Sequence, residues 1–255
     1  MLSGIHRYSR QEEVVYGRPA GDALTATARS LGTQRLLITT TRSLSGPGGL
    51  ATKLAEALGP LCVGTYAGVK AHSPREGVVE GAGQARALGC DFLVAVGGGS
   101  VIDATKVMQL CLWAGIQRPE ELDRVRVGQG ADRLALAQLQ PTVRMVAVPT
   151  TLSAAEFTPF AGVTDAARRV KEGYSHALLA PRVVVLDPAV TLETPPELWH
   201  STGLKAVDHA VEQLCNPERA PFADALAREG LARLGRGLRA TKGALQDLDA
   251  RLECQ

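Results

Sequence analysis

Three adjacent glycines, Gly97, Gly98 and Gly99, followed by Ser100, Asp103 and Lys106, form the stretch of this sequence best suited to chemistry. Residues without a Cβ let backbone N–H groups approach an anion, and a helix N-terminus behind them adds partial positive charge. A diphosphate is the guest that fits such a seat. Ser100 is placed to cap the helix or bond a phosphate oxygen, and Asp103 and Lys106 fall one turn apart on its first exposed face. The run is neither a Gly-Lys-Ser/Thr phosphate loop nor the spaced GxGxxG fingerprint, and a tight turn closing a β-α unit fits it equally well on local pattern.

Hydroxyls cluster at Thr39, Thr40 and Thr41 and again at Thr150, Thr151 and Ser153. On strand-end loops they could bond a ribose or a phosphate, and a solvated Ser/Thr turn is the other reading. The histidines, His6, His72, His176, His200 and His209, form no HExxH pattern and no close pair. Cys62, Cys90, Cys111, Cys215 and Cys254 include no CxxC, so free and mostly buried thiols are expected rather than a disulfide framework or zinc site.

The elements that position these residues alternate. Residues 14–17, 34–41, 61–66, 91–96, 142–148, 160–164 and 182–186 read as strands, and 22–31, 50–58, 77–88 and the segment from 101 onward as helices. That alternation predicts a parallel sheet covered on both faces, with ligands beyond the carboxyl ends of its strands. Residues 117–140 are polar, charged and unassigned, a surface excursion. From 190 the strands stop, and 204–214, 222–234 and 245–252 carry helical patterns. Two domains are expected, an α/β domain over 1–189 and a helical one over 190–255.

Composition narrows the function classes. The 255 residues carry a net charge of +2 with both signs interspersed, and aromatics are 4%. Neither a basic nucleic-acid groove nor a base-stacking platform is indicated. No apolar run approaches the ~18 residues of a membrane span and no basic-then-apolar leader opens the chain, so a cytoplasmic protein with no membrane partner is expected.

Taken together, GGGSVIDATK at 97–106, PTTLSAAEFT at 149–158, LLAPRVVVLDP at 178–188 and STGLKAVDHAVE at 201–212 resemble the iron-containing alcohol dehydrogenase superfamily, and within it the maleylacetate reductase branch. The resemblance implies a Rossmann-like parallel-sheet domain followed by an all-helical domain, dehydroquinate synthase-like, with the helical domain incomplete here. It implies NADH or NADPH as cofactor, a small unsaturated oxo-dicarboxylate from aromatic-compound degradation as substrate, and a homodimer. Gly97, Gly98, Gly99 and Ser100 match the diphosphate loop and Asp103 and Lys106 its companion helix residues. Thr150, Thr151 and Thr158 match the nucleotide-contacting loop, and Lys171 a lysine near the nicotinamide ribose. Thr41 falls where many relatives carry the acidic residue that binds the adenosine ribose; with Arg42 beside it, NADPH should be tolerated as well as NADH.

The resemblance departs at the metal site. Metal-dependent relatives place an aspartate four residues before a histidine; His209 matches the histidine, but the aspartate position is Lys205, and the family's remaining ligand histidines lie beyond residue 255. A fixed ammonium repels a divalent cation, so Fe or Zn belongs only to the alternative, a metal-dependent alcohol dehydrogenase. Lys205 is then expected to hold an anion and His209 to act as electrophile or proton donor, with His72, His176 and His200 structural or surface residues. A second alternative is an inactive NAD(P)-binding remnant. On that reading Leu231, Leu234 and Leu238 would form an exposed apolar face.

Overall fold

The computed structural model describes residues 9–128, 136, 139–217 and 220–255. Six strands, β1 (Glu13–Tyr16), β2 (Leu36–Thr39), β3 (Cys62–Tyr66), β4 (Phe92–Gly97), β5 (Arg144–Pro149) and β8 (Val183–Leu186), form one sheet in the order β1-β8-β5-β4-β2-β3. Every pairing in it is parallel. Strand side chains alternate between faces, and the core divides accordingly. Leu36, Ile38, Val94, Val96, Val146 and Val185 pack under α1 (Ala20–Leu31) and α2 (Leu50–Leu58). On the other face Leu37, Leu93, Ala95, Met145 and Val184 pack under α3 (Arg75–Ala87) and α4 (Gly99–Trp113).

This division locates the ligand crevice. The chain leaves β2 toward the α2 face and leaves β4 toward the α4 face, although β2 and β4 are neighbours. Where adjacent strands send their connections to opposite faces, a crevice opens at their carboxyl ends. The residues there are Thr39 to Thr41 and Gly97 to Gly99.

One expectation is corrected. The strand read at 160–164 does not join the parallel sheet: β6 (Phe160–Asp165) pairs antiparallel with β7 (Val170–Ser175) in a separate two-stranded ribbon. The pattern of β7 carries no strand signal, because Val170, Lys171 and Ser175 are exposed and its buried residues include Glu172. That glutamate joins Asp123 and Asp165 around the buried guanidinium of Arg75, with Arg168 closing the outer side. Asp123 belongs to a 3-10 turn, Pro119–Arg124, whose Leu122 is fully buried. The first part of the expected surface excursion thus stays at the surface but pins itself with two buried side chains, Leu122 and Val125, while 129–135 and 137–138 lie outside the described residues.

Beyond Pro188 the described chain holds only helices: a 3-10 segment Pro188–Glu193, then α5 (Pro196–Cys215), α6 (Pro221–Gly243) and α7 (Leu248–Cys254). Leu152, Trp199, Leu234 and Cys254 form their small core, with Leu238 against it. The expected apolar face is thus misplaced, since Leu234 is buried and Leu231 and Leu238 half-buried. Among the described residues of this part of the chain, Leu204 and Leu226 are the most exposed large apolar side chains, with Leu198, Val211, Phe222, Leu245 and Leu248 also exposed. Arg251 anchors α7 from within, its guanidinium over the Trp199 ring and bonded to the Thr191 carbonyl and hydroxyl. Among the described residues no helix is long and apolar enough to cross a membrane, and the five cysteines are free.

Candidate active site

A cleft of about 730 Å³ runs along the carboxyl ends of the sheet and reaches α5. Its floor is Gly98, Gly99, Ser100 and Asp103 from the start of α4. One wall is Thr41 and Ser43 with Lys70 and His72; another is Thr150, Thr151, Ser153 and Lys171; the helical side supplies Glu193, Thr194, Thr202 and Lys205.

Gly97 sits at φ +151, and a Cβ there would lie 2.6 Å from Val101 Cγ2, so the first glycine serves the turn itself. Gly98 is the N-cap of α4, with extended backbone and no side-chain cap, which leaves the first amides of the helix pointing outward. A Cβ on Gly98 would stand 3.0 Å from Thr151 Cγ2 and Oγ1, and one on Gly99 3.0 Å from Ser153 Cβ and Oγ. The Thr151 hydroxyl is buried and has no hydrogen-bond partner in the protein. A buried unpaired hydroxyl beside uncapped amides is a place where an acceptor belongs.

Several residues act differently from expectation. Ser100 is not the cap; its hydroxyl accepts the His72 N–H at 3.2 Å, and the Ser73 hydroxyl donates to the Ser100 carbonyl at 2.7 Å. Asp103 and Lys106 do not lie on an exposed face. Asp103 lines the cleft, half-buried, and accepts the Gly162 N–H at 3.0 Å; burial raises its pKa against the lowering pull of that bond and of Lys106 and Lys171. Lys106 is wholly buried and fastens the chain after Ser153: its ammonium donates to the Ala155 carbonyl at 2.5 Å, the Phe160 carbonyl at 2.8 Å and the Thr158 hydroxyl at 3.2 Å. Burial pulls its pKa down to about 8. Thr158 is spent on this clamp and does not line the cleft. For Asp103 and Lys106 the reason is shared: β6 packs on α4 and covers what a bare helix would expose.

On α5, Lys205 and His209 are one turn apart, but only Lys205 lines the cleft; His209 stands exposed beyond it. Asp208 accepts from the Lys205 ammonium at 2.5 Å, and that bond raises the lysine pKa and lowers the aspartate's. Arg42 lies exposed on the turn Arg42–Leu44, away from the cleft lining, whereas Lys70 faces it. His72, expected to be a structural or surface residue, lines the cleft at φ +61 beside Ser73 at φ +50. Bonds from the His72 N–H and the Ser73 hydroxyl to Ser100, from the Thr164 hydroxyl to the His72 carbonyl and from the Thr164 N–H to the Ser73 carbonyl hold this left-handed pair. A hydrophobicity pattern carries no signal for such a turn. The His-Ser-Pro triplet marks it only as a bend.

Two groups can be tested against this lining. A dinucleotide fits, because the glycine cradle, the unpaired Thr151 hydroxyl and the side chains of Lys70 and Lys171 all line one cleft of about 730 Å³. For a divalent metal, no three His, Cys, Asp or Glu side chains are grouped to hold one among the described residues, and α5 turns the Lys205 ammonium to the cleft beside Leu198 and Thr202.

Comparison with known proteins agrees with the architecture. The sequence profile described as iron-containing alcohol dehydrogenase matches residues 11–188. The chain is 36% identical over 204 residues to Dehydrogenase FUM7 of Gibberella moniliformis, covering 78% of this chain and 48% of that protein. It is 32% identical over 239 residues to Maleylacetate reductase 2 of Cupriavidus pinatubonensis, covering 93% and 57%. The crystal structure of maleylacetate reductase from Agrobacterium tumefaciens superposes with a TM-score of 0.80 at 26% identity, over 100% of this chain and 63% of that one. The chain belongs to the iron-containing alcohol dehydrogenase family. It spans about half to three-fifths of the length of these relatives.

Proposed function

We propose that this chain works as an NAD(P)H-dependent reductase of the maleylacetate reductase kind, taking a small unsaturated oxo-dicarboxylate and needing no metal. The observation that carries this reading is the cleft itself: a glycine cradle with an unpaired buried hydroxyl at one end and the Lys205 ammonium at the other. Reduced nicotinamide supplies the hydride when bound. The chain's part is to seat the diphosphate on the Gly98 and Gly99 amides and the Thr151 hydroxyl, and to hold the substrate carboxylate on Lys205. Glu193 lines the same end and repels a carboxylate set beside it, which orients the acid toward Lys205. His209 has no role in this geometry. For the coenzyme, the Thr41 and Ser43 hydroxyls with Lys70 offer no negative charge to a 2′-phosphate, so both NADPH and NADH are accepted, with Lys70 in the part expected of Arg42.

Titration with NADH and NADPH, followed by maleylacetate with and without chelator, tests the reading. Binding followed by chelator-insensitive turnover supports it. Turnover abolished by chelator favours the metal-dependent alcohol dehydrogenase named by the family description, binding without turnover a non-catalytic coenzyme binder, and no binding removes the proposal.

A further inference from the structure

In an antiparallel ribbon, directly paired residues share a face. The β6–β7 register pairs Thr164 with Lys171 and Gly162 with Gly173 on one face, and Val163 with Glu172 and Ala161 with Tyr174 on the other. The second face is core: Ala161, Val163 and Tyr174 are fully buried, and Glu172 is drawn into the Arg75 cluster. Because side chains alternate, fixing Glu172 inward sends Lys171 outward, to the cleft side.

What Lys171 does there depends on what lies under it. Its chain crosses Gly162 so closely that a Cβ at that position would overlap Lys171 Cε deeply and stand 3.0 Å from Nζ. Opposite, the Phe160 ring crosses Gly173 in the same manner, with its Cε2 2.8 Å from where a Cβ would be. The two facing glycines make a bare lane through a face that ordinary side chains would fill. Lys171 follows the lane to the cleft, where its charge acts on Asp103. Asp103 in turn holds the Gly162 N–H, so lane, lysine and α4 are tied at one point.

We propose that Gly162 is a positioning residue for Lys171: its missing side chain lets the lysine lie flat across the ribbon and present its ammonium to the anionic coenzyme in the cleft. This rests on the coenzyme reading above. No left-handed backbone is needed at Gly162, and the group an alanine would meet is the mobile end of a lysine. Alanine therefore leaves the fold intact and moves only the ammonium.

The test is a double-mutant cycle in the 255-residue chain with NADH and NADPH as titrants. Lys171→Ala weakens coenzyme binding about tenfold, and Gly162→Ala produces part of that loss with a melting temperature within about 2 °C of the parent. The double variant binds like Lys171→Ala alone, because the glycine acts only through the lysine. Gly162→Ala binding as tightly as the parent, or losses that multiply in the double variant, would overturn the proposal. A second readout needs no coenzyme: acetylation of Lys171, followed by peptide mass spectrometry, speeds up in Gly162→Ala while Lys53 reacts unchanged. If the parent binds neither nucleotide, the coenzyme reading fails and the labelling rates decide the positioning role, an unchanged Lys171 rate refuting it.

Discussion

Replacing Gly98 by valine separates the coenzyme seat from the fold. Gly98 has φ −81 and ψ −172, an extended backbone open to any residue, so a side chain there brings no main-chain strain. Its Cβ would lie 3.0 Å from two Thr151 side-chain atoms, a tight approach that the threonine relieves by shifting a few tenths of an ångström. The two further methyl groups occupy the space where a diphosphate meets the helix amides. Losing two hydrogen bonds to charged phosphate oxygens at ~1.5–3 kcal/mol each removes at least ~3 kcal/mol, which is a rise in Kd of roughly a hundredfold or more. The cost in stability is about 1 kcal/mol, the lower end for overpacking, since the crowded neighbour borders a cavity. Fluorescence titration with NADH beside a urea melt reads both quantities. A folded Gly98→Val protein that binds NADH like the parent would refute the diphosphate seat. Gly97→Ala behaves oppositely, because φ +151 and the Val101 side chain at 2.6 Å make it a folding defect first.

Glu156 is buried, and burial raises its carboxyl from 4.5 to about 7. The folded state holds a proton there that the unfolded chain has released, so the contribution is complete below about 4.5 and fades as pH climbs through about 7. At ~1.36 kcal/mol per pKa unit this amounts to ~3 kcal/mol, and Glu156→Gln should gain that much relative to the parent between pH 5 and pH 8 in urea unfolding; parallel pH profiles would contradict it. Arg75→Met leaves Glu172 and Asp165 as buried carboxylates short of their central partner, and a loss of about 3–5 kcal/mol is expected in the same melt. Lys205→Ala should raise KM for a dicarboxylate substrate while leaving the NADH Kd unchanged, and an equal effect on both would remove the lysine from the substrate end.

The glycine run and the strands around it were legible because their signals are local. Three residues without Cβ after an apolar run define a turn wherever they occur, and β4 with α4 follows within a residue or two of the expected bounds. Thr41, Thr150, Thr151, Lys171 and Lys205 do reach the cleft. Residues whose partners lie far along the chain were harder to read. Lys106 looks like an exposed helix lysine until Ala155 and Phe160, about fifty residues later, cover it, and His72 is indeed exposed, but no local pattern marks the backbone bonds with Ser100 and Thr164 that set it at the cleft rim.

By itself the sequence determined the alternation of strands and helices, the parallel sheet and the glycine turn after β4, since each follows from side-chain period and the absence of Cβ atoms over a few residues. Only the tertiary structure decided which of the marked polar groups face the cleft. Burial is set by what packs on top, and β6 packing over α4 turned Lys106 into a structural clamp while leaving Lys171 and Asp103 at the opening.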